Sequence, residues 1–168
     1  MRPQDLKSSE LVHWVTRIVE VEQPIHEDEV GRRLAMSCGW QRAGRVIRDC
    51  AMKGLLAARQ SGFLIEDRHF WMVNDDADVT PRDRSEIAAS EPVRRIDMIS
   101  PIEIAAAAIH ALEENLALPL DELVIETARI LGFARVGKDI NSALRATIDT
   151  ELDGQTSEDH LGRIRLLE

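Results

Sequence analysis

Leu11, Val15, Ile18 and Val19 recur three and four residues apart, the spacing that lays one apolar stripe along a helix. Gln23-Pro24 ends that helix, because proline lacks the backbone N–H and clashes with the preceding turn. Glu27-Asp28-Glu29 opens a second helix with carboxylates in the first turn, where the helix dipole favours them, and His26 stands at its N-cap. Val30, Leu34 and Ala35 carry its stripe to Gly39, which suits the left-handed position just past a helix end. A third helix is predicted from near Arg42, burying Ile47, Cys50, Ala51 and Leu55 and carrying Arg42, Arg45, Arg48, Asp49 and Met52 on its other side. Phe63 to Glu66 and Phe70 to Val73 then flank Asp67-Arg68-His69, which reads as two short strands around a tight loop.

The same pattern returns 93 residues later without a gap over about thirty positions. Asp28-Glu29-Val30 lies over Asp121-Glu122-Leu123, Ala35 over Ala128, and Gly39-Trp40 over Gly132-Phe133. Arg42 lies over Arg135, Gly44-Arg45 over Gly137-Lys138, Ile47 over Ile140, and Leu55 over Ile148. The second copy is predicted to have helices over Ile104 to Leu116, Asp121 to Leu131 and Lys138 to Leu152, with Ile140, Ala143, Leu144 and Ile148 as the buried stripe of the last. Its hairpin is placed at Gln155 to Glu158 and Arg163 to Leu166, around His160-Leu161-Gly162.

Helix, helix, turn, helix, hairpin is the winged-helix order. The expected fold is therefore mainly α with small β-hairpin wings, an α+β chain of two tandem winged-helix or helix-turn-helix-like domains, residues 1–73 and 101–168. Residues 74–100 hold two prolines, Pro81 and Pro92, and few large apolar side chains before Ile96, so they read as a linker, with Arg94 to Ile99 as a short strand that would add to a wing.

Composition narrows the choice of chemistry. Over 168 residues, 44% hydrophobic and 30% charged side chains make a folded chain, and 4% aromatics with no Tyr point to aliphatic helical cores. No apolar run is long enough for a membrane span or signal peptide, so a cytoplasmic location is expected. Cys38 and Cys50 lack metal-ligand spacing and fall on apolar helix faces, so they are expected in the core, with no metal, cofactor or small-molecule substrate. A net charge of -9 argues against unselective coating of nucleic acid. Residues 24–72, however, carry eight Lys and Arg against six Asp and Glu, whereas 101–168 carry six against thirteen. The first copy is the one suited to nucleic acid.

Arg42, Arg45 and Arg48 are the principal candidates, because guanidinium groups on a helix placed by a short turn can grip phosphate or the edge of guanine. Lys53, Arg59 and Arg68 are expected to add phosphate contacts. The competing expectation is a solvated helix face whose arginines pair with Asp49 and Glu27. Arg135, Lys138 and Arg145 form the weaker set, offset by Asp139, Asp149 and Glu151. Phe70-Trp71 is expected to pack back onto the helices and not to stack on bases. No enzyme is expected, since His13, His26, His69, His110 and His160 are scattered and no Ser or Cys has an evident base.

Several stretches also resemble a bacterial domain family of unknown function found at the C-terminus of large superfamily-1 helicase-related proteins. They are Pro81 to Ser85, Val93 to Ala107, Leu131 to Gly137 and Gly162 to Leu166, and the first copy looks like the winged-helix stretch that precedes them. The resemblance implies a DNA-binding or accessory region working with a helicase-like protein in cis or in trans. The ATPase would lie elsewhere, as no GxxxxGK[ST] phosphate loop is present in this sequence. The alternative expectation is a protein-interaction scaffold docking to such a motor.

Overall fold

The apolar stripes become three helices in each half of the chain. The computed structural model describes residues 5–74 and 79–167, and the chain divides into two units, Met1–Asp78 and Val79–Glu168. Both are mainly helical with a small antiparallel sheet.

In the first unit, α1 (Ser8–Glu22), α2 (Glu27–Ser37) and α3 (Arg45–Gln60) surround Leu11, Val15, Val19, Leu34, Leu55, Leu64 and Trp71. Gly54 lets α1 and α3 close on each other: a Cβ there would sit 3.1 Å from Val15 Cγ1 and 3.2 Å from the Leu11 carbonyl oxygen. His26 caps α2 as expected, its Nδ1 accepting the Asp28 N–H at 3.1 Å. Strands β1 (Ile25–His26), β2 (Ile65–Asp67) and β3 (Phe70–Met72) pair in the order β1-β3-β2. The third helix starts at Arg45 and not near Arg42, because Gly44 is extended (ψ 172°) and serves as its N-cap, which leaves Arg42 in the turn. Cys50 is buried, but Cys38 follows the end of α2 and is only half-buried, where loss of water still pushes its thiol up.

The second unit repeats this plan with α4 (Pro101–Asn115), α5 (Leu120–Ile130), α6 (Lys138–Glu151), β4 (Thr156–Glu158) and β5 (Ile164–Leu166). Its core joins Ile104, Ala108, Leu112, Leu123, Leu131, Leu144 and Ile148. The repeat extends beyond the stretch where the sequences align. Ile25 bridges to Trp71 in the first unit and Leu118 to Ile164 in the second, both partners displaced by the same 93 residues.

Residues 79–100 do not behave as a linker. They lie in the second unit and strap its surface. The expected strand at Arg94 to Ile99 is replaced by two 3-10 turns, Pro92–Arg94 and Ile96–Met98, whose N–H groups bond back three residues to Glu91, Pro92, Arg95 and Ile96. The strap is held by charge. Glu103, 0% exposed, accepts hydrogen bonds from Arg82 Nη2 at 2.6 Å, the Arg82 backbone N–H at 2.9 Å, and Arg84 Nη1 and Nη2 at 2.8 and 2.9 Å. Burial pushes the Glu103 carboxyl up, but the hydrogen bonds and positive charge of Arg82 and Arg84 outweigh it and hold the group below its ordinary 4.5. The Arg84 N–H also reaches the Leu131 carbonyl at 3.3 Å, and Arg94 Nη2 reaches the Gly132 carbonyl at 3.1 Å.

Breaking a buried ion cluster on one side leaves the other side uncompensated, so Glu103→Gln is expected to cost the second unit about 3 kcal/mol near neutral pH. Because the folded-state pKa of Glu103 is lowered, its contribution is present above 4.5 and fades as pH falls below that value toward the lowered one. Urea unfolding followed by far-UV circular dichroism from pH 7 to pH 3 checks both effects, with a smaller acid loss expected in the variant. Trp14, Trp40 and Trp71 are the three tryptophans and all belong to the first unit, so fluorescence reports that unit separately and is expected not to change.

Candidate nucleic-acid interface

Six apolar or small residues of α3 face the core of the first unit, namely Ile47, Cys50, Ala51, Gly54, Leu55 and Ala58. At 100° per residue, Arg45 and Lys53 fall on the opposite side of the helix and Arg48 on one flank. The aliphatic part of Arg48 lies against α2, since a Cβ on Gly31 would sit 3.5 Å from its Cγ. Arg42 stands in the turn just before the helix.

Arg42, Arg45, Arg48 and Lys53 are exposed, and among the described residues none of the four makes an ion pair. The expected pairing of these arginines with Asp49 and Glu27 is absent from the described residues, and Glu27 faces His69 Nδ1 at 3.3 Å instead. Glu29 is turned instead to the arginines of its own helix. Buried Glu29 is held by Arg32 Nε and Nη2 at 2.7 and 2.8 Å and by Arg33 Nε at 3.0 Å, while Arg33 also meets Glu22 at 2.7 Å. Four exposed cations without an ion pair among the described residues can pass to phosphate without first losing such a bond.

The other two candidates of the first unit are engaged. Arg59 donates to Glu66 at 3.3 Å and lies over the Trp71 ring, 5.9 Å from its centroid. Arg68 bonds Asp67 through Nε and Nη2, the latter at 2.8 Å. Arg68 and His69 form the two-residue hairpin turn with φ of 47° and 72°, a left-handed pair in the manner of a type I′ turn. Phe70 and Trp71 are buried, and Trp71, at 1% exposure, packs into the helical core of the first unit.

In the second unit Arg135 is exposed in the turn and Lys138 is the first residue of α6, both without an ion pair among the described residues. Arg145 differs, for it donates to Asn141 at 2.8 Å and pairs with Asp121, tying α6 to α5. The histidines stay scattered in the main: the rings of His26 and His69 stand 6.2 Å apart, and no metal-holding group of His, Cys, Asp and Glu occurs among the described residues. No described helix is long and apolar enough to cross a membrane.

Sequence reasoning passed over two features. Trp40, read only as an aromatic of the repeat, is 47% exposed beside Arg42, and Met36 is 49% exposed one turn earlier. Counting apolar positions gave no warning, because burial depends on what covers the turn between the helices. The buried carboxylate Glu103 was likewise not foreseen, although Arg82 and Arg84 lie in the Pro81 to Ser85 stretch and Glu103 in the Val93 to Ala107 stretch that carry the family resemblance.

Residues 5–49 match a family described as Protein of unknown function (DUF3320). This DUF3320 stretch spans α1, α2, the turn and the first residues of α3, and so includes Arg42, Arg45 and Arg48. It lies in the first unit and does not reach the residues on which the resemblance rested in the second half. No curated protein and no solved structure matches the chain.

The difference between free and engaged cations sets their effect on stability. Arg45→Ala is expected to change the unfolding free energy of the first unit by less than about 0.5 kcal/mol, whereas Arg145→Ala is expected to cost the second about 1 kcal/mol. Urea titrations of both variants, followed by fluorescence and circular dichroism, measure the two units separately.

Proposed function

We propose that the chain is a non-enzymatic tandem winged-helix module whose first unit binds DNA, acting as the accessory region of a helicase-related protein in the cytoplasm. One observation carries this reading: Arg42, Arg45, Arg48 and Lys53 are exposed on the turn and α3 without an internal ion pair among the described residues. In the winged-helix geometry the third helix enters the major groove with its N-terminal residues toward the bases, which is where Arg42 and Arg45 stand. Arg48 and Lys53 then meet phosphate, and Arg59 and Arg68 lie behind, one on the wing aromatic and one at its tip. Arg135 and Lys138 give the second unit a smaller version of the same edge, with Arg145 committed to Asp121. Its acidic surface favours a positioning role over direct contact.

Fluorescence anisotropy with a labelled duplex and a labelled single strand, at about 50 and 200 mM salt, tests this reading. Binding is expected to weaken steeply with salt and to drop about tenfold or more in an Arg42→Ala, Arg45→Ala, Arg48→Ala triple variant that keeps its helical spectrum. Salt-independent binding, or a triple variant that binds as well as the parent, rules the reading out.

A further inference from the structure

The two units end their second helix in the same way, yet among the described residues only one of these ends is covered. In the second unit the turn at Gly132 is clamped by the strap. A Cβ on Gly132 would lie 2.4 Å from the Ser85 nitrogen and 2.5 Å from the Arg84 nitrogen. The Leu131 carbonyl accepts from the Arg84 N–H, the Gly132 carbonyl from Arg94, and the guanidinium groups of Arg82 and Arg84 close on Glu103, the third residue of α4. The strap thus brings backbone to the glycine and arginine to the carboxylate.

Each receiving group has its counterpart 93 residues earlier. Gly39 replaces Gly132, with φ 81° against 88°, Cys38 replaces Leu131, and Glu10 replaces Glu103 as the third residue of the first helix. Among the described residues nothing lies within 4 Å of a Cβ built on Gly39. Among the described residues nothing donates to the Cys38 or Gly39 carbonyl, and exposed Glu10 takes a single bond, from the Lys7 N–H at 2.8 Å. Met36 and Trp40 stand half-exposed on either side.

We propose that the Gly39 turn of the first unit is a docking site for an extended, arginine-bearing peptide segment of a partner protein, held as residues 82–94 are held on the second unit. The peptide backbone donates to the Cys38 carbonyl over the bare glycine, and its arginine pairs with Glu10. Apolar side chains of the segment cover Met36 and Trp40. The basic residues nearby do not forbid an arginine-bearing occupant, because Arg135 and Lys138 hold the corresponding positions beside the occupied turn. This site is independent of the α3 cations, and its failure or success leaves the DNA titration unaltered.

The probe is a labelled synthetic peptide with the sequence of residues 79–95, titrated by anisotropy into the full chain. Saturable binding below about 1 mM is expected, about tenfold weaker for Glu10→Gln and for a peptide with Arg82→Ala and Arg84→Ala. Gly39→Asn provides a second variant, since asparagine tolerates the left-handed backbone but fills the space where the peptide must approach; it is expected to keep the helical spectrum and lose binding. No saturation, or binding that ignores both chain variants and therefore reflects displacement of the strap on the second unit, overturns the proposal. So does self-association of the chain that Glu10→Gln abolishes in sedimentation, because the occupant is then a second copy.

Discussion

The carbonyl groups at the end of a helix need partners, and in both units a left-handed glycine provides them by reversing the chain. Past α2, the N–H groups of Gly39 and Trp40 bond the Met36 and Ala35 carbonyls, each at 2.9 Å; past α5, those of Gly132 and Phe133 bond Arg129 and Ala128 at 3.0 and 2.9 Å. The next glycine, Gly44 or Gly137, is extended and caps the third helix with nearly the same ψ and a φ of -70° or -75°. Two glycines five residues apart therefore fix where α3 and α6 start and which way they leave the turn. The position of Arg42 and Arg45, the closure of α3 on α1 at Gly54, and the return of the hairpin to β1 all follow from that reversal.

On this shared frame the units have diverged in how they treat charge. The first leaves four exposed cations without an ion pair among the described residues and ties Glu29 and Glu22 to Arg32 and Arg33 on α2. The second places Arg145 between α5 and α6 and closes its hairpin with Asp159, which accepts the backbone N–H groups of Arg163 and Leu161 and the Arg163 guanidinium. Those bonds, led by the Arg163 N–H, bring its carboxyl down to about 2. A carboxylate organising a turn and a carboxylate pairing a helix arginine are structural uses, which leave less charge of either sign available to a partner.

Helix order and the apolar stripes were legible because period and glycine punctuation are local signals, and His26 could be placed as a cap from the acidic turn that follows it. What escaped was non-local. Residues 74–100 read as a linker because their prolines and charges argue against a regular element, but the partner that recruits Arg82 and Arg84 of that stretch, Glu103, sits inside a helix whose pattern marks it only as a first-turn acid. The start of α3 slipped past Arg42 because an extended glycine overrides a basic residue that could equally begin a helix. Which cations stand without an ion pair was beyond the sequence too, since Arg59 and Arg45 differ only in what the fold brings near them, Trp71 and Glu66 for one and, among the described residues, no ion pair for the other.

The tip of the first hairpin holds a consequence of its own. Arg68 and His69 both adopt the left-handed backbone without being glycine, at a cost of about 1 kcal/mol each. They are kept there by the bond from the Glu27 N–H to the His69 carbonyl at 3.0 Å, which staples the tip to the start of α2, and by that from the His69 N–H to Glu66 of β2 at 2.8 Å. Conformational freedom at this point has thus been surrendered during folding. Any molecule that touches the tip meets an already ordered backbone, and little further entropy is lost when the two come together.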